Sequence, residues 1–228
     1  MLRTPYLTFA LLALLPALTR VQIEESVAEA TAGGKPVRIE VFEPKTRVKK
    51  PALILLHGAG GLEVEDGGDY YRGFARGLAR RGYVVLLPHF YQEKTRAEGN
   101  FDEWGAAVAA TLDHAVARPR VDPARVGLVG FSLGAGLALE RAKADPRVGA
   151  ISLYLVAGGG RVDRLPPTLV IVGDADVDSP AERARAFDAS LAEHEVPHEL
   201  HVVPKMGHGF STKQAADAQR WTSAFFGK

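Results

Sequence analysis

A serine between two glycines, a histidine between two glycines, and a run of aspartates between them in the chain are the residues here that could do chemistry. Ser132 stands in Gly130-Phe131-Ser132-Leu133-Gly134 and His208 in Met206-Gly207-His208-Gly209-Phe210; Asp174, Asp176 and Asp178 lie between Gly173 and Pro180. A serine hydroxyl attacks a carbonyl only when a base takes its proton, and an imidazole does this best when a carboxylate holds its tautomer. Serine, then acid, then histidine is a chain order in which that trio recurs. Asp176, at the fourth position of a Gly-x-x-Asp turn, is the expected acid. Asp178 is then a cap for the helix that starts at Pro180 and Asp174 a brace for the loop, each remaining an alternative acid. Of the other histidines, His57 precedes a glycine loop, and His194, His198 and His201 come before the final turn. His89 and His114 would need a special loop to reach Ser132.

Acyl transfer also needs donors for the charge that develops on the carbonyl oxygen. His57-Gly58-Ala59-Gly60-Gly61 can turn its backbone amides toward a substrate. The expected donors are the amides of Leu133 and Ala59, with Gly60 as the alternative to Ala59. A phosphate cradle is the competing reading of such a loop, but neither the dinucleotide-type nor the Walker-type glycine spacing is present. For Ser132 the competing reading is a plain helix cap between tight glycines.

These residues need a framework that delivers them to one rim. Residues 21–28 and 37–42 read as hairpin strands joined through Gly33-Gly34, and the apolar runs at 53–56, 84–87, 126–129, 151–156, 169–172 and 200–203 read as strands. Helical spacing covers 70–81, 102–117 (with Asp102 as N-cap), 133–144, 180–193 and 213–226. Strands alternating with helices predict one α/β domain, a doubly wound and mostly parallel sheet with helices on both faces. Ser132, Asp176 and His208 all follow strands, at the edge where open sheets of this kind gather their sites. The long connection at 88–100 follows a strand too.

The 228 residues are 46% hydrophobic and 24% charged, with a formal net charge of +1 and no cysteine. That is an ordinary globular composition, and it argues against nucleic acid as the main partner. Disulfides, thiolate metal sites and cysteine nucleophiles are excluded. Residues 1–20 carry Arg3 and then an uncharged run at 6–18, which reads as a secretory signal peptide and predicts an exported protein; an uncleaved N-terminal anchor or a buried first helix are the alternatives. Residues 21–228 form the domain proper, with no other membrane association expected.

The chain resembles the dienelactone hydrolase family of α/β-hydrolases. The resemblance rests on Leu-Leu-His-Gly-Ala-Gly-Gly at 55–61, Leu-Pro-His-Phe-Tyr at 87–91, residues 125–135 around the serine, the turn at 173–180 and Gly-His-Gly-Phe at 207–210. It implies the α/β-hydrolase fold and a small ester or lactone as the partner, cleaved without metal or cofactor. Departures matter. The founding enzymes carry cysteine where Ser132 stands, and grip an anionic lactone with arginines near positions here occupied by Gln92-Glu93 and Ser211-Thr212, although Arg96 or Lys94 could substitute. The connection at 157–166, with Arg161 and Arg164, is too short for a cap domain, so a shallow site is expected, lined by Gly60, Tyr91 and Phe131, with Phe90 and Trp104 as further candidates; plain core packing is the equal alternative for each of these aromatic residues. A peptidase or acyltransferase on the same trio, or a non-catalytic relative, are the alternatives.

Overall fold

The computed structural model describes residues 21–63, 67–91, 101–155 and 162–228. The predicted leader at 1–20, Gln92, Glu93, Lys94, Arg96 and Arg161 lie outside the described residues. Each apolar run becomes a strand of one eight-stranded sheet: β1 (Ile23–Ala32), β2 (Lys35–Pro44), β3 (Lys50–Leu56), β4 (Val84–Pro88), β5 (Val121–Phe131), β6 (Val148–Tyr154), β7 (Thr168–Gly173) and β8 (His198–Val203), in the order β1-β2-β4-β3-β5-β6-β7-β8. From β4 to β8 all neighbours are parallel, whereas β2 runs antiparallel to β1 and to β4. The β1–β2 turn has positive φ at both Gly33 (55°) and Gly34 (79°), the geometry that fits the twist of a two-residue hairpin.

Among the described residues, five helices cover the sheet: α1 (Gly67–Ala79), α2 (Phe101–Ala117), α3 (Leu133–Ala144), α4 (Ala181–Glu193) and α5 (Thr212–Phe226). The period-2 alternation of the strands sorts their residues between two cores. Ala52, Ile54 and Leu56 of β3 join the core beneath α2, α3 and α4, whereas Leu53 and Leu55 join the one beneath α1 and α5. This two-sided burial is why the central strands read as unbroken apolar runs. The fold is a single-domain, mostly parallel α/β sheet with no cap domain among the described residues. No described helix is long and apolar enough to cross a membrane.

Two expectations on local structure are corrected. Asp102 is not an N-cap: α2 already begins at Phe101, so Asp102 sits in its first turn, where its charge faces the positive end of the helix dipole. Asp178 caps nothing either, since Pro180 takes the N-cap position of α4 with no side-chain cap bond.

Candidate active site

The turn between β5 and α3 puts Ser132 at the end of a central strand with φ 50° and ψ −112°. A side chain rarely adopts that backbone, so packing must hold it there. A Cβ at Gly130 would lie 2.3 Å from the Gly134 carbonyl oxygen, and one at Gly134 would lie 2.3 Å from that of Leu56. Only glycine permits this approach of strand, helix and neighbouring strand. The Ser132 N–H donates to the Tyr154 carbonyl at 2.9 Å, tying the elbow to β6. Although Ser132 occupies the N-cap position of α3, its side chain makes no cap bond, so the hydroxyl is left for another partner.

That partner is His208. Its Nε2 lies 3.0 Å from Ser132 Oγ, and its Nδ1 lies 2.9 Å from Asp176 Oδ2 and 3.1 Å from Oδ1. Asp176 is buried, and its Oδ1 also accepts the backbone N–H groups of Asp178 (3.0 Å) and Ser179 (2.9 Å). The Ser179 hydroxyl donates to the Leu155 carbonyl at 2.5 Å, and Asp174 Oδ1 accepts the Lys205 N–H at 2.6 Å. Asp174 therefore braces the loop after β7 against the turn after β8. A Cβ at Gly173 would lie 1.8 Å from the Met206 carbonyl oxygen, which is how the two loops come close enough for an aspartate to reach His208.

The other histidines are engaged elsewhere. His89 pairs with Glu40, His114 with Arg118, and His201 stacks on Trp221 at 4.3 Å. His194 and His198 bond the carbonyls of Ser190 and Val196. His57 is fully buried, stacked on Phe90 at 3.9 Å, with Nδ1 on the Gly58 carbonyl, and burial holds its pKa down at about 4.

The glycine turn after β3 closes on a bond from Gly61 N–H to the Gly58 carbonyl, with Gly61 at φ 73°. The Tyr91 hydroxyl donates to the carbonyls of Gly58 and Ala59, and Gly58 N–H donates to the Tyr71 hydroxyl at 2.8 Å. Neither the Ala59 nor the Leu133 amide has a hydrogen-bond partner among the described residues. A cleft of about 350 Å³ lies over Ser132 and His208, bounded by Ala59, Gly60, Phe131 and a group the sequence did not single out, Tyr70, Tyr71 and Leu155. The one signal for the pair was a tandem of tyrosines just beyond the glycine loop.

Tyr91 is a correction. It does not border this cleft but, with Phe90 and Trp104, borders a separate cavity of about 710 Å³. Its hydroxyl is drawn to the carbonyl side of the glycine turn, so the ring supports that turn from behind.

The dienelactone hydrolase family profile matches residues 37–225. The chain belongs to the dienelactone hydrolase family. A Synechocystis protein provisionally named a carboxymethylenebutenolidase is 23% identical over 205 residues, 76% of this chain and 81% of that one. A dienelactone hydrolase-like promiscuous phosphotriesterase from metagenomic libraries superimposes with a TM-score of 0.78 at 18% identity, covering 90% of this chain and 98% of its own. A cold-adapted esterase from an Arctic intertidal metagenomic library gives 0.70 at 17%, covering 89% and 94%. At such identities the solved structures speak for the fold, while family membership makes the chain a hydrolase of the ester or lactone type.

Where the founding dienelactone hydrolases resemble one another in an arginine after the histidine, this member has Ser211, whose hydroxyl accepts the Gln214 N–H in a capping box for α5. Among the described residues one trio of metal-type donors, Asp176, Asp178 and His208, gathers within 4.8 Å. Asp176 and His208 are bonded to each other, and Asp176 Oδ1 already takes two backbone N–H groups, so the set fits an oriented imidazole better than an ion.

Proposed function

We propose that the protein is a serine hydrolase that cleaves small carboxylic esters or lactones through an acyl-enzyme on Ser132. The observation that carries this reading is the unbroken hydrogen-bonded line from Ser132 Oγ through the His208 ring to the buried carboxylate of Asp176. As Ser132 Oγ bonds to the carbonyl carbon, its proton passes to His208 Nε2. Asp176 keeps the ring turned and stabilises the imidazolium. The carbonyl oxygen, now anionic, faces the amides of Ala59 and Leu133, which have no other described partner. Collapse breaks the bond to the alcohol oxygen, which leaves with the proton from His208. Water, deprotonated by the same imidazole, then releases the acid and restores Ser132.

A cleft of about 350 Å³ bounded by Tyr70, Tyr71, Phe131 and Phe210 supports compact substrates with an apolar body over long acyl chains. With Ser211 committed to its helix cap, an anion clamp after the histidine is missing at that position, which supports neutral esters over an anionic dienelactone.

The test is turnover of short-chain nitrophenyl esters and labelling by a fluorophosphonate probe, in the wild type and in Ser132→Ala. The expected result is labelling and turnover in the wild type, with a loss of at least about a thousandfold in the variant. Equal turnover in both proteins would sink the reading.

A further inference from the structure

Tyr71 stands beside the reacting centre with one end of its hydroxyl fixed. Its ring borders the cleft over Ser132, and its oxygen accepts the Gly58 N–H at 2.8 Å. A Cβ built on Gly58 meets the Tyr71 hydroxyl oxygen at 3.1 Å and Ser132 Cβ at 3.6 Å. The phenol and the carbon bearing the nucleophile therefore flank one point in the glycine turn, next to the Ala59 amide.

A phenol has one proton to give and lone pairs to receive. With a lone pair of Tyr71 taken by Gly58 N–H, its own proton must point in another direction, and no acceptor takes it among the described residues. Other tyrosines of the molecule behave differently. Tyr83, Tyr91 and Tyr154 each donate to a backbone carbonyl, those of Ser223, Gly58 and Ala218. Tyr70, the neighbour of Tyr71 on α1, has its hydroxyl sealed from solvent. Tyr71 alone of these combines a fixed acceptor end with a donor end left for the cleft.

Resting on the serine-hydrolase reading, the geometry points to Tyr71 as a further catalytic residue: its O–H is a third donor to the oxyanion, beside the amides of Ala59 and Leu133. Burial holds this phenol above the ordinary tyrosine range, so it keeps its proton at neutral pH. The bond received from Gly58 polarises the O–H and makes it a stronger donor. The same bond aims the phenol, because rotation away from the cleft would strand the Gly58 N–H.

Tyr71→Phe should lower kcat on short-chain nitrophenyl esters on the order of a hundredfold with KM little changed, and should weaken binding of a boronic-acid transition-state analogue in parallel. Losing an acceptor for Gly58 N–H could loosen the turn without any role for the proton, so a second variant carries the decision. Replacing Tyr71 with 3,5-difluorotyrosine makes the phenol a stronger donor and a weaker acceptor. Turnover that holds or rises supports the O–H on the oxyanion; turnover that falls overturns it in favour of a purely positioning hydroxyl. Tyr71→Phe within about threefold of wild type overturns it too. Should Tyr71→Phe fail to fold, the fluorinated protein decides alone. Labelling of Ser132 by fluorophosphonate separates the two readings: a labelled wild type with an indifferent Tyr71→Phe sinks the Tyr71 assignment only, whereas an unlabelled, inactive wild type removes both.

Discussion

The two sides of the site are held by different forces. At the elbow, Ser132 is placed by close packing: Gly130 and Gly134 press backbone against backbone, and a side chain on either would overlap a carbonyl or a helix. Across from it, Gly173 also lets backbone meet backbone where the loops after β7 and β8 come together, but the side chains of Asp176 and His208 are aimed by hydrogen bonds, from Asp178 N–H, Ser179 N–H and Lys205 N–H to the two aspartates of the loop after β7. Steric placement is stiff and fails all at once; hydrogen-bonded placement gives up a fraction at a time. Ser132, whose strained backbone needs over-determination, sits on the stiff side.

The sharpest test of that contrast is Asp176→Asn. The amide oxygen can still accept from Asp178 and Ser179, so the loop should stay folded while the ring loses its carboxylate. Activity should fall by about ten-thousandfold with a melting temperature close to wild type. A variant that instead unfolds would place Asp176 among the structural supports.

Gly134→Ala comes next, since its Cβ has only backbone to displace, the carbonyls of Leu56 and His57. We expect a loss of about 2–4 kcal/mol of stability together with activity. Wild-type thermal unfolding in this variant would break the claim that packing sets the elbow.

Asp174→Ala on the hydrogen-bonded side should cost roughly 1 kcal/mol and leave most of the turnover, because it frees one N–H of the turn leading to His208. A loss as large as that of Gly134→Ala, read by denaturant titration, would erase the distinction.

An acid titration tests the glycine turn, where His57 is buried and neutral. Its pKa is about 4 in the fold against an ordinary 6.5. The unfolded chain takes up a proton below about pH 6.5 that the fold refuses until about 4, so this group's share of stability is full above that window and is lost as pH falls through it. Melting temperatures measured from pH 7 to 4 should therefore decline, and less steeply in His57→Gln. Parallel curves for the two proteins would show that another group governs acid lability.

The sheet was legible because its central strands are buried on both faces and its helices are bounded by clear punctuation; the predicted 133–144 helix matches α3 to the residue. The elbow was legible because glycine, serine and glycine next to a strand leave few other uses. The lining was not. Phe90, Tyr91 and Trp104 read equally as cleft lining or as core, and they pack around the other side of the glycine turn, while Tyr70 and Tyr71 read as no more than the start of a helix. An aromatic residue satisfies the same local pattern whether its ring faces a site or a core.

Covalent order and residue type were enough to specify the strands and helices, the glycine-flanked serine turn, and which residues follow strand ends, because backbone sterics and hydrophobic period act over a few residues. Folding in three dimensions settled the rest: the strand order, Asp174 bonding to Lys205 instead of His208, and which tyrosine holds the glycine turn from behind and which meets the cleft. Those outcomes depend on contacts between segments tens of residues apart, and such distances are set by how the helices pack on the sheet.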